Sequence, residues 1–174
     1  DARPLVLVSP TTTPMAQPAE PVIRAAAGAV ATMPVRALFT LGQILAPATL
    51  PAAENIVYTD FVPHSAVLPH VAAAVSQCGH GTTMAALREA VPLGCFPKFG
   101  DQKGVAARGA RLGAGIVLSD RPDAGEGRRA LEAVLGDPSF REATQRLSVV
   151  LCEEDGAGVA ADEIEAAGGS LKTV

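Results

Sequence analysis

The residues of this chain best suited to chemistry lie in Ser76-Gln77-Cys78-Gly79-His80-Gly81-Thr82-Thr83. A tight glycine-bearing turn that opens a helix leaves backbone N–H groups without intrahelical acceptors, and the positive end of the helix dipole adds to their pull on an anion. Phosphate suits such a turn, because glycine lets it approach the backbone closely. The plainer account is a capped helix start, with Thr82 or Thr83 as the cap.

A second cluster follows at Pro97-Lys98-Phe99-Gly100-Asp101-Gln102, where a carboxylate and a carboxamide stand side by side at the start of another helix. Asp101 could serve as an N-cap there. A carboxylate that accepts from vicinal hydroxyls, beside an amide that both donates and accepts, is also what holding a sugar ring requires.

Other chemistries are missing their residues. G-x-G-x-x-G and G-x-x-x-x-G-K-[ST] are absent, and the close pair Gly113 and Gly115 precedes a strand instead of opening a helix. No G-x-S-x-G occurs, which removes the commonest serine hydrolase arrangement. His64, His70 and His80 lack the paired spacing of a metal site, so no metal is expected. Cys78, Cys95 and Cys152 are odd in number and widely spaced without C-x-x-C, which predicts neither a disulfide framework nor zinc and makes a reducing cytoplasm the default. Lys98, His70, Arg88 and Arg108 read as solvated or helix-end charges, and Cys78 as a small turn residue.

With 14 Lys plus Arg against 18 Asp plus Glu in 174 residues, the net charge is −4. Nucleic-acid binding is excluded on that balance, since no basic cluster is present to meet phosphates. The long apolar stretch Val35 to Leu50 contains Gly42, Gln43 and Pro47 and is too short for the ~20 residues of a membrane span. No secretory leader is read at the start. The 48% apolar content, mostly small and aliphatic, suits close helix-on-sheet packing in one domain.

Short apolar runs alternate with Ala-rich amphipathic stretches, the pattern of strand–helix units on a mainly parallel sheet. Six strands are predicted: Pro4–Ser9, Val35–Leu41, Ile56–Thr59, Ala72–Ser76, Leu93–Phe96 and Gly115–Leu118. Helices are predicted over Glu20–Thr32, Thr83–Glu89 and Asp101–Leu112, with a short turn capped by Ser65. Ser119–Gly127 reads as a charged surface loop, and extra C-terminal helices as Ala130–Leu135, Pro138–Leu151 and Val159–Ala167. The fold class is α/β: a doubly wound, mostly parallel, Rossmann-like sheet, with residues 1–174 as one domain.

The run Asp60-Phe61-Val62-Pro63-His64, then Gly79-His80-Gly81-Thr82 before Ala86-Leu87, Val91-Pro92, Pro97, Asp101-Gln102 and Leu112-Gly113-Ala114-Gly115, resembles the donor-binding half of nucleotide-sugar glycosyltransferases of the two-Rossmann-domain (GT-B) class. Thr82-Thr83-Met84-Ala85-Ala86-Leu87 is most similar to members that attach deoxysugars to natural products. The resemblance implies that Phe61, Val62 and His64 lie along the nucleobase and ribose. Gln77, Gly79, His80, Gly81, Thr82 and Thr83 would hold the diphosphate, and Asp101 with Gln102 the donor sugar. It further implies a nucleoside-diphosphate sugar as substrate, no cofactor, and an acceptor-binding N-terminal domain that also carries the catalytic base. This chain has no room for that domain, and none of its residues is assigned as catalytic. A homodimer is left open.

Gln77 departs from the family's phosphate-binding His and can donate without bringing positive charge. Cys78 stands where a second Gly is frequent, and Val105 where many members have Asn. Ala85 replaces the Glu that serves uridine-donor ribose hydroxyls, which is compatible with a thymidine donor. The alternatives are a degenerate, non-catalytic partner module and a nucleotide-sugar epimerase domain.

Overall fold

The computed structural model describes residues 1–10, 20–42 and 45–170, apart from the side chains of residues 169 and 170. Six strands, β1 (Leu5–Ser9), β2 (Arg36–Thr40), β3 (Ile56–Thr59), β4 (Ala73–Ser76), β5 (Leu93–Cys95) and β6 (Gly115–Val117), form one sheet in the order β3-β2-β1-β4-β5-β6. Every pair is parallel, the pairing common in sheets covered by helices on both faces. Six predicted strands are present, with ends displaced by a residue at most.

Alternation along the strands sorts the core into two layers. Val6, Val8, Phe39 and Val75 face α1 (Glu20–Val30) and α5 (Ala124–Gly136), where Ile23, Val30 and Leu131 meet them. Leu7, Ala74, Leu93 and Cys95 face the other side, against Leu68, Ala86, Leu87 and Ala106. That second layer is built by α2 (His64–Val67), α3 (His80–Arg88), α4 (Gln102–Arg111) and, against α3, α6 (Pro138–Glu153). The chain ends in α7 (Gly156–Ser170), whose described residues are exposed apart from a half-buried Gly158.

The glycine pair that opens no helix has a structural role. Gly113 takes φ +74 just past α4, the left-handed position that closes a helix, and its N–H reaches the Ala110 carbonyl at 3.0 Å. A Cβ on Gly115 would collide with the Leu93 carbonyl on the neighbouring strand.

Several expectations are corrected. The turn after β3 begins at His64 behind Pro63, so Ser65 is not its cap. Helix α3 starts a turn earlier than predicted: the Thr83 N–H donates to the Gly79 carbonyl at 3.0 Å, so neither Thr82 nor Thr83 caps it. Residues 124–127, expected in a loop, form the first turn of α5, because the Asp123 carboxylate accepts from the Glu126 N–H at 2.7 Å and caps it. Helices α6 and α7 extend beyond their predicted spans. Finally, Cys78 and Cys95 are joined in a disulfide, against the expectation of none. Their separation of 17 residues spans a helix crossover, which is why spacing did not reveal it: adjacent parallel strands bring the two Cα atoms to 5.7 Å.

Candidate functional site

The strand order reverses between β1 and β4, and in such sheets the ligand crevice opens beyond the carboxyl ends of the strands. Ser9 and Ser76 end those two strands in paired register. The chain leaving β4 turns through Gln77, Cys78 and Gly79 into α3, so the turn singled out from sequence sits at the crevice.

Helix α3 is held firmly at its far end. Its last carbonyls would otherwise lack partners, and α6 supplies them. The Ala90 carbonyl just beyond α3 accepts from the buried Thr144 hydroxyl at 2.9 Å and from the Arg141 guanidinium at 3.0 Å. The Arg88 carbonyl accepts from Ser148 Oγ at 2.6 Å, while the Arg88 side chain returns a 2.6 Å bond to the Leu151 carbonyl. Arg88 thus ties two helix ends together.

At the near end the polar groups are open. Gly79 is the N-cap residue with no side-chain cap, and the amides of His80, Gly81 and Thr82 have no acceptor among the described residues. Thr83 is 3% exposed, yet its Oγ1 has no hydrogen-bond partner there. A buried polar atom without a partner costs about 1–3 kcal/mol. A Cβ added at Gly79 or Gly81 would meet nothing within 4 Å, so both glycines face free space.

His80, Thr83, Asp101 and Arg108 line one cavity of about 570 Å³ among α3, α4 and α6, whose lining is otherwise largely apolar and includes Met84, Leu87, Val105 and Leu151. Asp101 precedes α4, but its side chain caps nothing and is exposed, leaving the carboxylate for other use. Gln102 is buried, and its Oε1 accepts from the N–H groups of Lys98 at 2.8 Å and Phe99 at 3.2 Å. Its carbonyl oxygen therefore braces the loop that carries Asp101, and only its amide nitrogen remains to donate. Gly100, at φ +60, permits that loop's left-handed bend. Lys98 Nζ donates to the Asp120 carbonyl instead of standing free in solvent.

The expected nucleobase residues lie apart from that cavity, beyond β3. Phe61 is 69% exposed, a flat apolar surface at the crevice edge. Val62 and His64 are half-buried. His64 Nε2 lies 3.1 Å from Ser9 Oγ, which in turn accepts from the Thr40 hydroxyl at 2.9 Å. Burial holds the His64 imidazole below its ordinary pKa, so the ring is neutral near pH 7. Ser9 and Thr40 were not singled out from sequence; their signal was a hydroxyl at the carboxyl end of each of two adjacent strands. Gln77 is buried and holds no hydrogen bond with a described residue. Among the described residues no helix is long and apolar enough to cross a membrane.

The chain is similar to known proteins over most of its length. The chain is 37% identical to 4'-demethylrebeccamycin synthase of Lentzea aerocolonigenes over 94% of its own length and 38% of that protein. It superposes on the calicheamicin glycosyltransferase with a TM-score of 0.84 and 30% identity, covering 98% of this chain and 45% of that one. Against the glycosyltransferase VinC, solved in complex with DTDP, the TM-score is 0.70 with 28% identity, over 87% of this chain and 38% of that one. The chain spans less than half the length of each of these proteins. Residues 27–166 match the model for "Erythromycin biosynthesis protein CIII-like, C-terminal domain", and the chain belongs to that family of glycosyltransferase domains.

Proposed function

We propose that this chain is the donor-binding half of an inverting glycosyltransferase, which moves a sugar from a nucleoside diphosphate to a hydroxyl of a small acceptor. The observation that carries this reading is the open amino-terminal end of α3. Three amides without acceptors and an unpaired Thr83 hydroxyl stand at that end, and His80 and Thr83 share one cavity with Asp101, an arrangement that suits a phosphate beside a sugar.

In the reaction the acceptor oxygen attacks the anomeric carbon as its proton passes to a base, and the bond from that carbon to the diphosphate breaks. Charge grows on the departing diphosphate, and amides fixed at a helix end stabilise it without reorganising. Asp101 accepts from the sugar hydroxyls and holds the anomeric carbon in line. The base and the acceptor pocket belong to a preceding N-terminal domain of a two-domain enzyme, so these 174 residues bind donor without turnover. Charge on the diphosphate is met by helix-end amides and threonine hydroxyls, with no metal or cofactor. The DTDP complex of VinC and the Ala85 substitution both favour a thymidine donor, and the resemblance favours a deoxysugar as its cargo.

The neutral, buried Gln77 favours a second reading, a degenerate module that supports a partner enzyme without binding donor. Titration of the chain with TDP and a TDP-sugar separates the two. The donor reading expects a Kd at or below about 1 mM, with Thr82→Val weakening both ligands and Asp101→Ala weakening mainly the sugar nucleotide. No detectable binding of either would leave the supporting module as the better account.

A further inference from the structure

Cys78 is the residue before the N-cap Gly79 and takes φ +57, a left-handed conformation that L side chains disfavour. Something must hold it there. The Cys78 N–H donates to Ser76 Oγ at 3.1 Å, and the side chain is tied to Cys95, the last residue of β5. Cys95 itself is fixed in the sheet, with its carbonyl accepting from the Leu118 N–H at 2.7 Å. Both cysteines are essentially inaccessible, at 0% and 2% exposure.

We infer that the Cys78–Cys95 bridge is a positioning device, holding the amides of His80, Gly81 and Thr82 in the direction a diphosphate needs, and that reducing it weakens nucleotide binding. The affinity half of this inference rests on the donor reading above. With the bridge cut, Cys78 is tied only through Ser76 Oγ, which accepts from its N–H at 3.1 Å and donates to its sulfur at 3.9 Å, and it is free to leave its left-handed conformation and re-aim the amides that follow. The chemistry balances with a dithiol as reductant. Its two thiols give up two electrons and two protons, the protein S–S bond becomes two thiols, and the reductant closes into its own disulfide. An oxidised dithiol reverses the exchange. Because the bridge is buried, reduction requires the turn to open. By reciprocity, bound nucleotide must shift the thiol–disulfide equilibrium toward the bridged form.

The test compares the 174-residue chain after treatment with an oxidised dithiol and after reduction. Thiol titration in denaturant should count Cys152 alone in the first state and all three cysteines in the second. Hydrogen exchange at the Cys78 and Thr83 amides should be faster in the reduced protein. The Kd for TDP should rise about fivefold or more, and saturating TDP should shift the equilibrium with a dithiol/disulfide buffer toward the bridged form by the same factor. Cys95→Ala should reproduce the reduced behaviour and ignore the dithiol. Cys78→Gly, which tolerates the left-handed backbone, should recover part of the affinity without a bridge. Three free thiols after oxidation, or equal exchange and equal Kd in both states, would overturn the inference. If exchange quickens on reduction but neither state binds TDP, the bridge's hold on the turn stands and the donor reading fails.

Discussion

The two ends of helix α3 are built on opposite terms. At its carboxyl end the carbonyls of Arg88 and Ala90 are taken up by Ser148, Thr144 and Arg141, and the Arg88 side chain closes the last turn of α6 in return. At its amino end three amides and the buried Thr83 hydroxyl have no partner among the described residues. Nearly all buried polar groups of native proteins are paired, so the imbalance within nine residues of helix is informative. The satisfied end anchors the helix. The unsatisfied end is left open to a ligand.

The contrast can be broken first at the anchored end. Replacing Thr144 with Val and Arg141 with Ala strips the Ala90 carbonyl of both donors, and should lower unfolding free energy by about 1–3 kcal/mol. Denaturant melts check this, and TDP affinity under native conditions should stay within about twofold, since neither residue lies near the open end. A large loss of affinity without loss of stability would mean that the two ends are coupled in some other way.

The same chemical change at the open end should have the opposite sign. Thr83→Val removes a hydroxyl that is buried without a partner, and should raise the stability of the ligand-free chain by about 1 kcal/mol. Its TDP affinity should fall, because the ligand loses a donor. A drop in stability comparable to that of Thr144→Val would place Thr83 among the structural residues.

The smallest effect lies across the crevice at His64. Its folded pKa is depressed by burial, below the 6.5 of an unperturbed imidazole. A group shifted that way contributes stability fully above the unfolded value and loses it as pH falls through the folded value. Stability should therefore decline as pH drops below about 6.5, and His64→Gln should be flatter over that range. The half-exposed ring limits the effect to a fraction of what a buried one would give. Identical pH slopes in the two proteins would remove His64 from the account.

Sequence carried the sheet well because strands buried on both faces announce themselves as apolar runs, as Leu5–Ser9 does, while the edge strand Ile56–Thr59 was read from its β-branched and aromatic residues. The start of α3 was hidden for the reason that makes it useful: Gly79-His80-Gly81 is poor helix-forming sequence, and the anchoring by α6 overrides that propensity. Asp101 was legible as either cap or ligand, and only the structure removes the cap. Gln102 looked equivalent to Asp101 because both are polar neighbours, yet one is exposed and the other braces a loop. The Cys78–Cys95 pair and the Ser9–Thr40–His64 network depend on strand order, which a linear reading of residue types does not contain.

The most direct test of the central claim removes a single open amide and leaves the helix intact. His80 is the first helical residue after Gly79, whose φ −59 and ψ 145 suit a following proline, and a first-turn proline is well accepted by helices. Relative to His80→Ala, His80→Pro should match in thermal stability but bind TDP about tenfold or more weakly, the worth of one hydrogen bond to a charged group. Equal TDP affinity in the two variants would contradict the account, because the helix-end amides would then not be what receives the diphosphate.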